Sequence, residues 1–289
     1  LPSGRAILDP LFANSPFLGD CFLSDAAFAR TILARGPNEI LTTIHTETRQ
    51  ELLRETDQAK LMRGLRIAKR RMALAVGMAD IFATWSLEQV TNALTDFAEL
   101  ALSLAVTHLL RKAAATKAFA LPDADDVESE SGLVVLGMGK LGARELNYSS
   151  DIDLILLYDR ERIRAADDDK VHQAFVRLAR DLVKILEERT ADGYVFRTDL
   201  RLRPDPGITP LAMSVEVAES YYGSVGQNWE RAAMIKARAV AGDQEAARRF
   251  LQRIRPFVWR RHLDFAAIQD IHSIKRQIAA HRGGHTIAI

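Results

Sequence analysis

The short gap between Gly142 and Asp151 constrains this chain more than any other feature. A β-like run, Leu133 to Leu136, leads into Gly137-Met-Gly-Lys-Leu-Gly142, and a second apolar run opens at Asp151-Ile-Asp-Leu-Ile-Leu-Leu-Tyr158. The glycine spacing matches the dinucleotide fingerprint, and Asp159 at the second run's end even resembles its ribose-binding acid. That fold needs a full helix between the two strands. Here only Lys140 to about Asn147 is available before Ser149-Ser150-Asp151 interrupts, and repeated βαβ units are missing elsewhere. A Walker P-loop is excluded because no Gly-Lys-Ser/Thr follows four variable positions.

The residues around the gap suit metal-dependent phosphoryl chemistry. Glycines at 137 and 139 let backbone amides approach a phosphate, with Lys140 as a nearby point charge. Residues i and i+2 of a strand share a face, so Asp151 and Asp153 project together while Ile152 and Leu154 face the core. Two such carboxylates suit oxygen ligation of Mg²⁺. Ser149 and Ser150 stand just before them, able to hydrogen-bond a phosphate oxygen. A third run, Tyr194 to Arg203, is expected as a strand closed by the turn Pro204-Asp-Pro-Gly207. On it Asp199, Arg201 and Arg203 share a face opposite Leu200 and Leu202. That combination fits a third metal ligand with two arginines clamping phosphate. One or two ions held by three acids can stabilise the entering and leaving oxygens of an in-line displacement.

Around this centre the pattern is helical. Phe22, Phe28, Ala29, Ile32 and Leu33 recur at helical spacing, as do Leu61, Leu65, Ala68, Met72 and Leu74. Ser86 with Gln89 forms a capping-box start for an Ala/Leu-rich helix reaching about Lys117. The charge run Arg63, Arg66, Lys69, Arg70 and Arg71 reads as a solvated helix face. Val171, Phe175, Leu178, Leu182 and Ile185 make a one-sided stripe, hence a core helix. Ser214 and Asp243 are expected N-caps. Residues 122–131 carry five acids in ten positions and read as a solvated boundary. The layout is therefore a helical region at 1–121, an acidic linker at 122–131, a catalytic domain at 132–210 and a second helical region at 211–289. The class is α+β.

Composition narrows the partners. The charge balance of 39 basic against 38 acidic residues speaks against a general nucleic-acid or membrane binder. The single cysteine forbids an internal disulfide and fits a reducing cytoplasm. The ends, Leu1-Pro2 and His285 to Ile289, read as cuts in a longer protein.

The long motif Leu136-Gly-Met-Gly-Lys-Leu-Gly-Ala-Arg-Glu-Leu-Asn-Tyr-Ser-Ser-Asp-Ile-Asp-Leu-Ile155 resembles the signature of bacterial glutamine synthetase adenylyltransferases. So do Phe196-Arg-Thr-Asp-Leu-Arg-Leu-Arg-Pro204, Asn228-Trp-Glu-Arg-Ala-Ala-Met-Ile-Lys-Ala-Arg238 and Arg255-Pro-Phe-Val-Trp-Arg-Arg261. The resemblance runs from about residue 15 to the end. It implies a nucleotidyltransferase (polymerase-β-like) mixed-sheet domain flanked by helical bundles. It also implies one half of a bifunctional enzyme whose two halves remove and attach AMP. The stretches from Trp229 to Lys236 and from Arg255 to Asp264 resemble the N-terminal, adenylyl-removing half, truncated at its helical C-terminal region.

Residue by residue, the resemblance assigns Asp151, Asp153 and Asp199 to metal binding. It places Gly137, Gly139, Lys140 and Ser150 on the phosphate side, and Trp229, Glu230, Lys236 and Arg238 in a second cluster. Trp229 reads equally well as a partly buried anchor between helix and sheet. Lys236 and Arg238 would not share a helix face, so either the segment is extended or only one reaches the site. The implied reaction is Mg²⁺-dependent phosphorolysis: inorganic phosphate attacks the α-phosphorus of an adenylylated tyrosine of glutamine synthetase, the tyrosine oxygen leaves and ADP forms. Arg201, Arg203 and Lys236 would bind the attacking phosphate, and Asp199 would be available to take a proton. Control by a PII signalling protein follows from the same resemblance. The alternatives are AMP attachment from ATP and a regulatory module without turnover.

Overall fold

The computed structural model describes residues 4–121, 126–165 and 167–259, with side chains from residue 8 onward. The start of the expected acidic linker (122–125) and the end of the expected C-terminal helical region (260–289), including Arg260, Arg261 and Asp264, lie outside the described residues.

Six helices come first: α1 (Gly4–Asn14), α2 (Pro16–Ser24), α3 (Ala26–Arg35), α4 (Pro37–Leu52), α5 (Gln58–Ile81) and α6 (Leu87–Ala115). Their starts are written in the sequence. Ser15 and Asp25 accept from Leu18 N and Phe28 N, Asp57 caps α5, and the Ser86–Gln89 capping box opens α6. By length and hydropathy α6 could cross a membrane, but it is the central helix of the core and mostly buried.

A five-stranded mixed sheet follows, interleaved with short helices. β1 (Leu133–Gly137) leads into a single helical turn, α7 (Gly139–Gly142), then β2 (Ile152–Tyr158) and the long α8 (Asp168–Glu187). Next come β3 (Thr198–Asp199), β4 (Ala212–Ser214), α9 (Val215–Ser224), α10 (Asn228–Met234), β5 (Arg238–Gly242), α11 (Gln244–Arg253) and α12 (Arg255–Val258). β1 pairs antiparallel with β2 and with β5, while β3 and β4 each pair parallel with β2. The molecule is α+β, as expected.

Alternation in β1 and β2 divides the core between the two sheet faces. Leu133, Val135, Ile152, Leu154, Leu156 and Tyr158 pack with α5, α6 and α8. Val134, Leu136, Ile155 and Leu157 pack with α9 to α12. α8 presents Val171, Phe175, Leu178, Leu182 and Ile185, all at most 3% exposed, to the first layer. Each such side chain contributes roughly 1.5–3 kcal/mol by burial.

Three expectations need correction. The run from Tyr194 to Arg203 is not one strand. Only Thr198 and Asp199 pair with β2, at its N-terminal end, and the partner strand resumes at β4. The chain between them turns away, because Arg203 donates to the carbonyls of Leu200, Pro206 and Thr209 and so closes a loop on itself. Second, the sheet does not end near residue 210, since β4 and β5 come from the part expected to be helical. Ser214 and Asp243 nevertheless cap α9 and α11, as expected.

Third, the charge run on α5 is not a solvated face. Arg66 is 0% exposed and donates to Met62 O, to Gly193 O at 2.8 Å and to Glu188 O. Arg70 bonds Asp192, and Arg71 bonds Asp25. The Lys69 ammonium sits 3.9 Å from the Phe196 ring centroid, where burial holds its pKa down to about 8. Arg66, Lys69 and Arg70 pin the 188–196 turn, and so the approach to β3, onto the helical layer. The acidic stretch is likewise partly folded in. Val127 is buried, and Glu128 accepts from Ser103, Thr107 and Gly242 N.

Candidate active site

The N-terminal end of β2 and its neighbour β3 carry the acids. Asp153 and Asp199 are paired in register across the two strands, as are Ile152 and Thr198. Extending that register by one pleat sets Asp151 against Arg197, and Ile152 N donates to Arg197 O at 2.9 Å. Ile152 and Leu154 are buried, so the acids take the opposite face, as the strand period requires. Glu187, at the end of α8, accepts from Thr198 N and Oγ1 and holds β3 against β2.

The glycine turn lies beneath Asp153. Met138 N donates to Asp153 O at 2.9 Å, tying the turn to β2. Gly139 has φ +52, and a Cβ there would lie 2.7 Å from Asp153 Oδ2. Only glycine leaves room for this carboxylate at this backbone conformation. Gly142 serves packing: a Cβ would fall 2.0 Å from Lys236 O. Gly137 packs against Val240 and Leu141 in the same way. Lys140 is exposed on α7, and Ser149 and Ser150 stand on the approach to Asp151, Ser149 with φ +50.

Burial raises the Asp153 carboxyl above its ordinary range, and the charges of Asp199 and Asp151 raise it further, against a smaller lowering by Arg201. The hydrogen bond from Arg201 holds Asp199 below its ordinary value. Asp199 therefore stays an anion and is a poor proton acceptor near neutral pH. Arg201 Nη2 lies 2.5 Å from Asp199 Oδ2, and Arg197 Nε lies 2.5 Å from Asp151 Oδ1. The three acids thus share an edge, but two of them face arginines. Among the described residues no group of three His, Cys, Asp or Glu side chains is disposed to hold an ion. Carboxylate oxygens are nonetheless the donors that hard divalent cations take.

Several expected site residues have other partners. Arg203 is held by the carbonyls of its own loop rather than poised as a phosphate clamp. Glu230 is 2% exposed, accepts from Gln227 N at 2.7 Å and from Tyr221 Oη, and so anchors the start of α10. Arg238 donates to Gly142 O, Leu141 O and Glu99 Oε1, bracing the glycine turn from behind. Lys236 reaches Glu145 at 2.8 Å. α10 ends at Met234, Lys236 lies in the turn that follows, and Arg238 opens β5, so the two do not sit on one helix. Trp229 on α10 is 39% exposed.

Beside the acids opens a cleft of about 550 Å³, lined in part by Asp151, Asp199, Tyr194, Arg197 and Arg201. Arg197 and Tyr194 were missed in the sequence. The signal was available for Arg197, which shares the i, i+2 series of Asp199 and Arg201.

Comparison with known proteins places the chain among relatives of one family. Residues 6–253 match the family described as glutamate-ammonia ligase adenylyltransferase. Three relatives are bifunctional glutamine synthetase adenylyltransferase/adenylyl-removing enzymes. That of Rhizobium meliloti (strain 1021) is 51% identical over 96% of this chain. That of Bradyrhizobium sp. (strain BTAi1) is 47% identical over 99%, and that of Agrobacterium fabrum 46% over 96%. The chain spans 29%, 29% and 28% of their lengths.

Proposed function

This chain belongs to the glutamate-ammonia ligase adenylyltransferase family, and from that premise we propose that it removes AMP from an adenylylated tyrosine of glutamine synthetase by Mg²⁺-dependent phosphorolysis. The observation that carries the reading is the gathering of Asp151, Asp153 and Asp199 on one sheet edge, with Gly139 directly beneath Asp153. We read the mixed sheet as a nucleotidyltransferase (polymerase-β-like) domain. Residues 132–210 carry its acids, and β4 and β5 complete its sheet beyond the expected boundary. Helices α1 to α6 and α9 to α12 flank it.

In this reading Asp151, Asp153 and Asp199 hold one or two Mg²⁺ ions, which supply Lewis-acid polarisation of the α-phosphoryl oxygens when bound. Gly139 opens the turn to the phosphoryl group and Gly137 lets the turn pack against Val240 and Leu141, with Ser149 and Ser150 as hydroxyl donors and Lys140 and Lys236 as flanking charges. Arg201 orients inorganic phosphate. A phosphate oxygen bonds to the α-phosphorus, the bond to the tyrosine oxygen breaks, and ADP and tyrosine result. Positioning and charge stabilisation carry most of the rate. Trp229, Glu230 and Arg238 support the fold around the site. The protein substrate, control by a PII protein and a cytoplasmic setting without nucleic-acid or membrane partners belong to the same proposal. Its direction rests on the resemblance of the Trp229–Lys236 stretch to the adenylyl-removing half.

The test is direct. The chain is incubated with adenylylated glutamine synthetase, Mg²⁺ and phosphate, and ADP is measured. ADP that disappears in Asp153→Asn supports phosphorolysis. AMP incorporation from ATP into the unmodified partner reverses the direction. Nucleotide binding with neither reaction makes the chain a regulatory module.

A further inference from the structure

Arg197 stands between the acid edge and the neighbouring cleft. Its Nε lies 2.5 Å from Asp151 Oδ1, its Nη2 donates to Ser149 O at 2.6 Å, and its Nη1 donates to Tyr194 Oη at 3.2 Å. Both members of the Arg197–Asp151 pair are about half exposed, 50% and 53%. A pair this open to water is weak and exchanges readily. The cleft wall also carries Arg201 and Arg189, the latter 5.4 Å from the Tyr194 ring centroid. Three guanidiniums and a phenol share a space of about 550 Å³ with the carboxylates of Asp151, Glu187 and Asp199, and a guanidinium released from its carboxylate offers donors to an oxyanion with several acceptor oxygens.

We propose that Arg197 is an exchangeable counter-ion: it and a divalent cation compete for Asp151, and the displaced guanidinium turns into the cleft beside Arg189 and Arg201 to bind a phosphate. The inference rests on Asp151 being a cation ligand, as in the proposed function. It adds an anion subsite at Arg189, Arg197 and Arg201, loaded by arrival of the cation. A guanidinium suits the exchange because its planar fork can leave one carboxylate oxygen and engage two phosphoryl oxygens. The contact with Tyr194 keeps Arg197 at the cleft in either position. Cation and phosphate then bind with positive coupling, since each removes a competitor of the other.

The rival role of Arg197 is purely structural, bracing the Ser149–Asp151 segment. The two roles predict opposite signs. Mn²⁺ binding to the full 289-residue chain is followed by electron paramagnetic resonance, with and without inorganic phosphate, beside thermal melts that check folding. Arg197→Gln is expected to bind Mn²⁺ several-fold more tightly than the unaltered chain and to lose the tightening caused by phosphate. Arg197→Lys keeps a cation but not the fork. It should bind Mn²⁺ about as the unaltered chain does, with the phosphate effect reduced, and serves if the Gln variant does not fold. Equal or weaker Mn²⁺ binding in folded Arg197→Gln overturns the exchange and leaves Arg197 a brace. Failure of the unaltered chain to bind Mn²⁺ removes the cation site, and this proposal with it, whatever the variants do.

Discussion

Two sets of arginines in this molecule do different work, and their partners separate them. Arg66, Arg203 and Arg238 donate mainly to main-chain carbonyls: Met62, Glu188 and Gly193 for the first, Leu200, Pro206 and Thr209 for the second, Leu141 and Gly142 for the third. Arg197 and Arg201 pair with the carboxylates of Asp151 and Asp199 beside a cleft. A guanidinium that serves two or three carbonyls at once cannot leave without breaking all of those bonds together. Arg197 faces a half-exposed carboxylate and Arg201 is itself 84% exposed, so each can turn toward a phosphate at smaller cost. The first set holds the frame, and the second is free to take part in chemistry.

The largest effect should come from the acids these arginines attend. Asp153→Asn should lower the rate of ADP formation by at least about 10²–10³-fold, the scale for loss of one major electrostatic contributor to phosphoryl transfer. The variant should still melt cooperatively, because no side-chain hydrogen bond to the Asp153 carboxylate occurs among the described residues. A variant that unfolds would put Asp153 in the frame instead. Next in size is Arg66→Ala. It removes donors from three carbonyls and empties a fully buried site. A loss of about 3 kcal/mol in urea unfolding is expected. A loss below about 1 kcal/mol would mean that water replaces the guanidinium, and the comparison would fail at its strongest member.

What the sequence made readable follows the same division. The helix of Val171 to Ile185, the Ser86–Gln89 capping box and the face-sharing of Asp151 and Asp153 depend on local pattern, and the structure reproduces them. Arg66 depends on what lies across from it. Its neighbours in the charge run are equally basic, and nothing local says that Glu188 and Gly193 will bring carbonyls to its turn of α5. The broken strand at residue 200 escaped for a related reason. Leu200 and Leu202 alternate with Asp199, Arg201 and Arg203 as in a strand, but Arg203 closes a loop through non-neighbouring carbonyls. Glu230 looked like a site acid because of its motif, whereas its carboxylate accepts from Gln227 N at the start of α10, a cap the sequence does not announce because Gln is not a usual N-cap residue.

The closest test of the division sets Arg203 against Arg201, two residues apart. Arg203→Ala should destabilise the fold by about 1–2 kcal/mol through loss of the loop carbonyls' donors, with little change in apparent affinity for phosphate once folded. Arg201→Ala should leave the melting temperature nearly unchanged, since its side chain is 84% exposed. It should raise the KM for phosphate by roughly tenfold, as expected for one charge-assisted contact. Denaturation curves and phosphate titrations of the two variants decide the matter. If Arg203 moved KM and Arg201 moved stability, carbonyl partners would not mark structural arginines here.

The smallest effect concerns Asp153 itself and is read from its sign. Burial, then Asp199 and Asp151, raise its folded-state pKa above the unfolded value. The stability linked to its protonated form is then fully present below the unfolded pKa and lost as pH rises through the folded one. At pH 7 in chelator-treated buffer the ionised carboxylate is a burden that asparagine does not carry. Asp153→Asn should therefore melt above the unaltered chain at pH 7. The gap should narrow as pH falls through the raised pKa and close below about 3.9, the ordinary aspartate value. Saturating Mg²⁺ should shrink it at pH 7, because a cation shared by the acids relieves the repulsion only where Asp153 is charged. Thermal melts across this range, with and without Mg²⁺, check both statements. A gap independent of pH would mean that neighbouring carboxylates do not set the charge at Asp153, and the acid edge would lose its clearest electrostatic mark of a cation site.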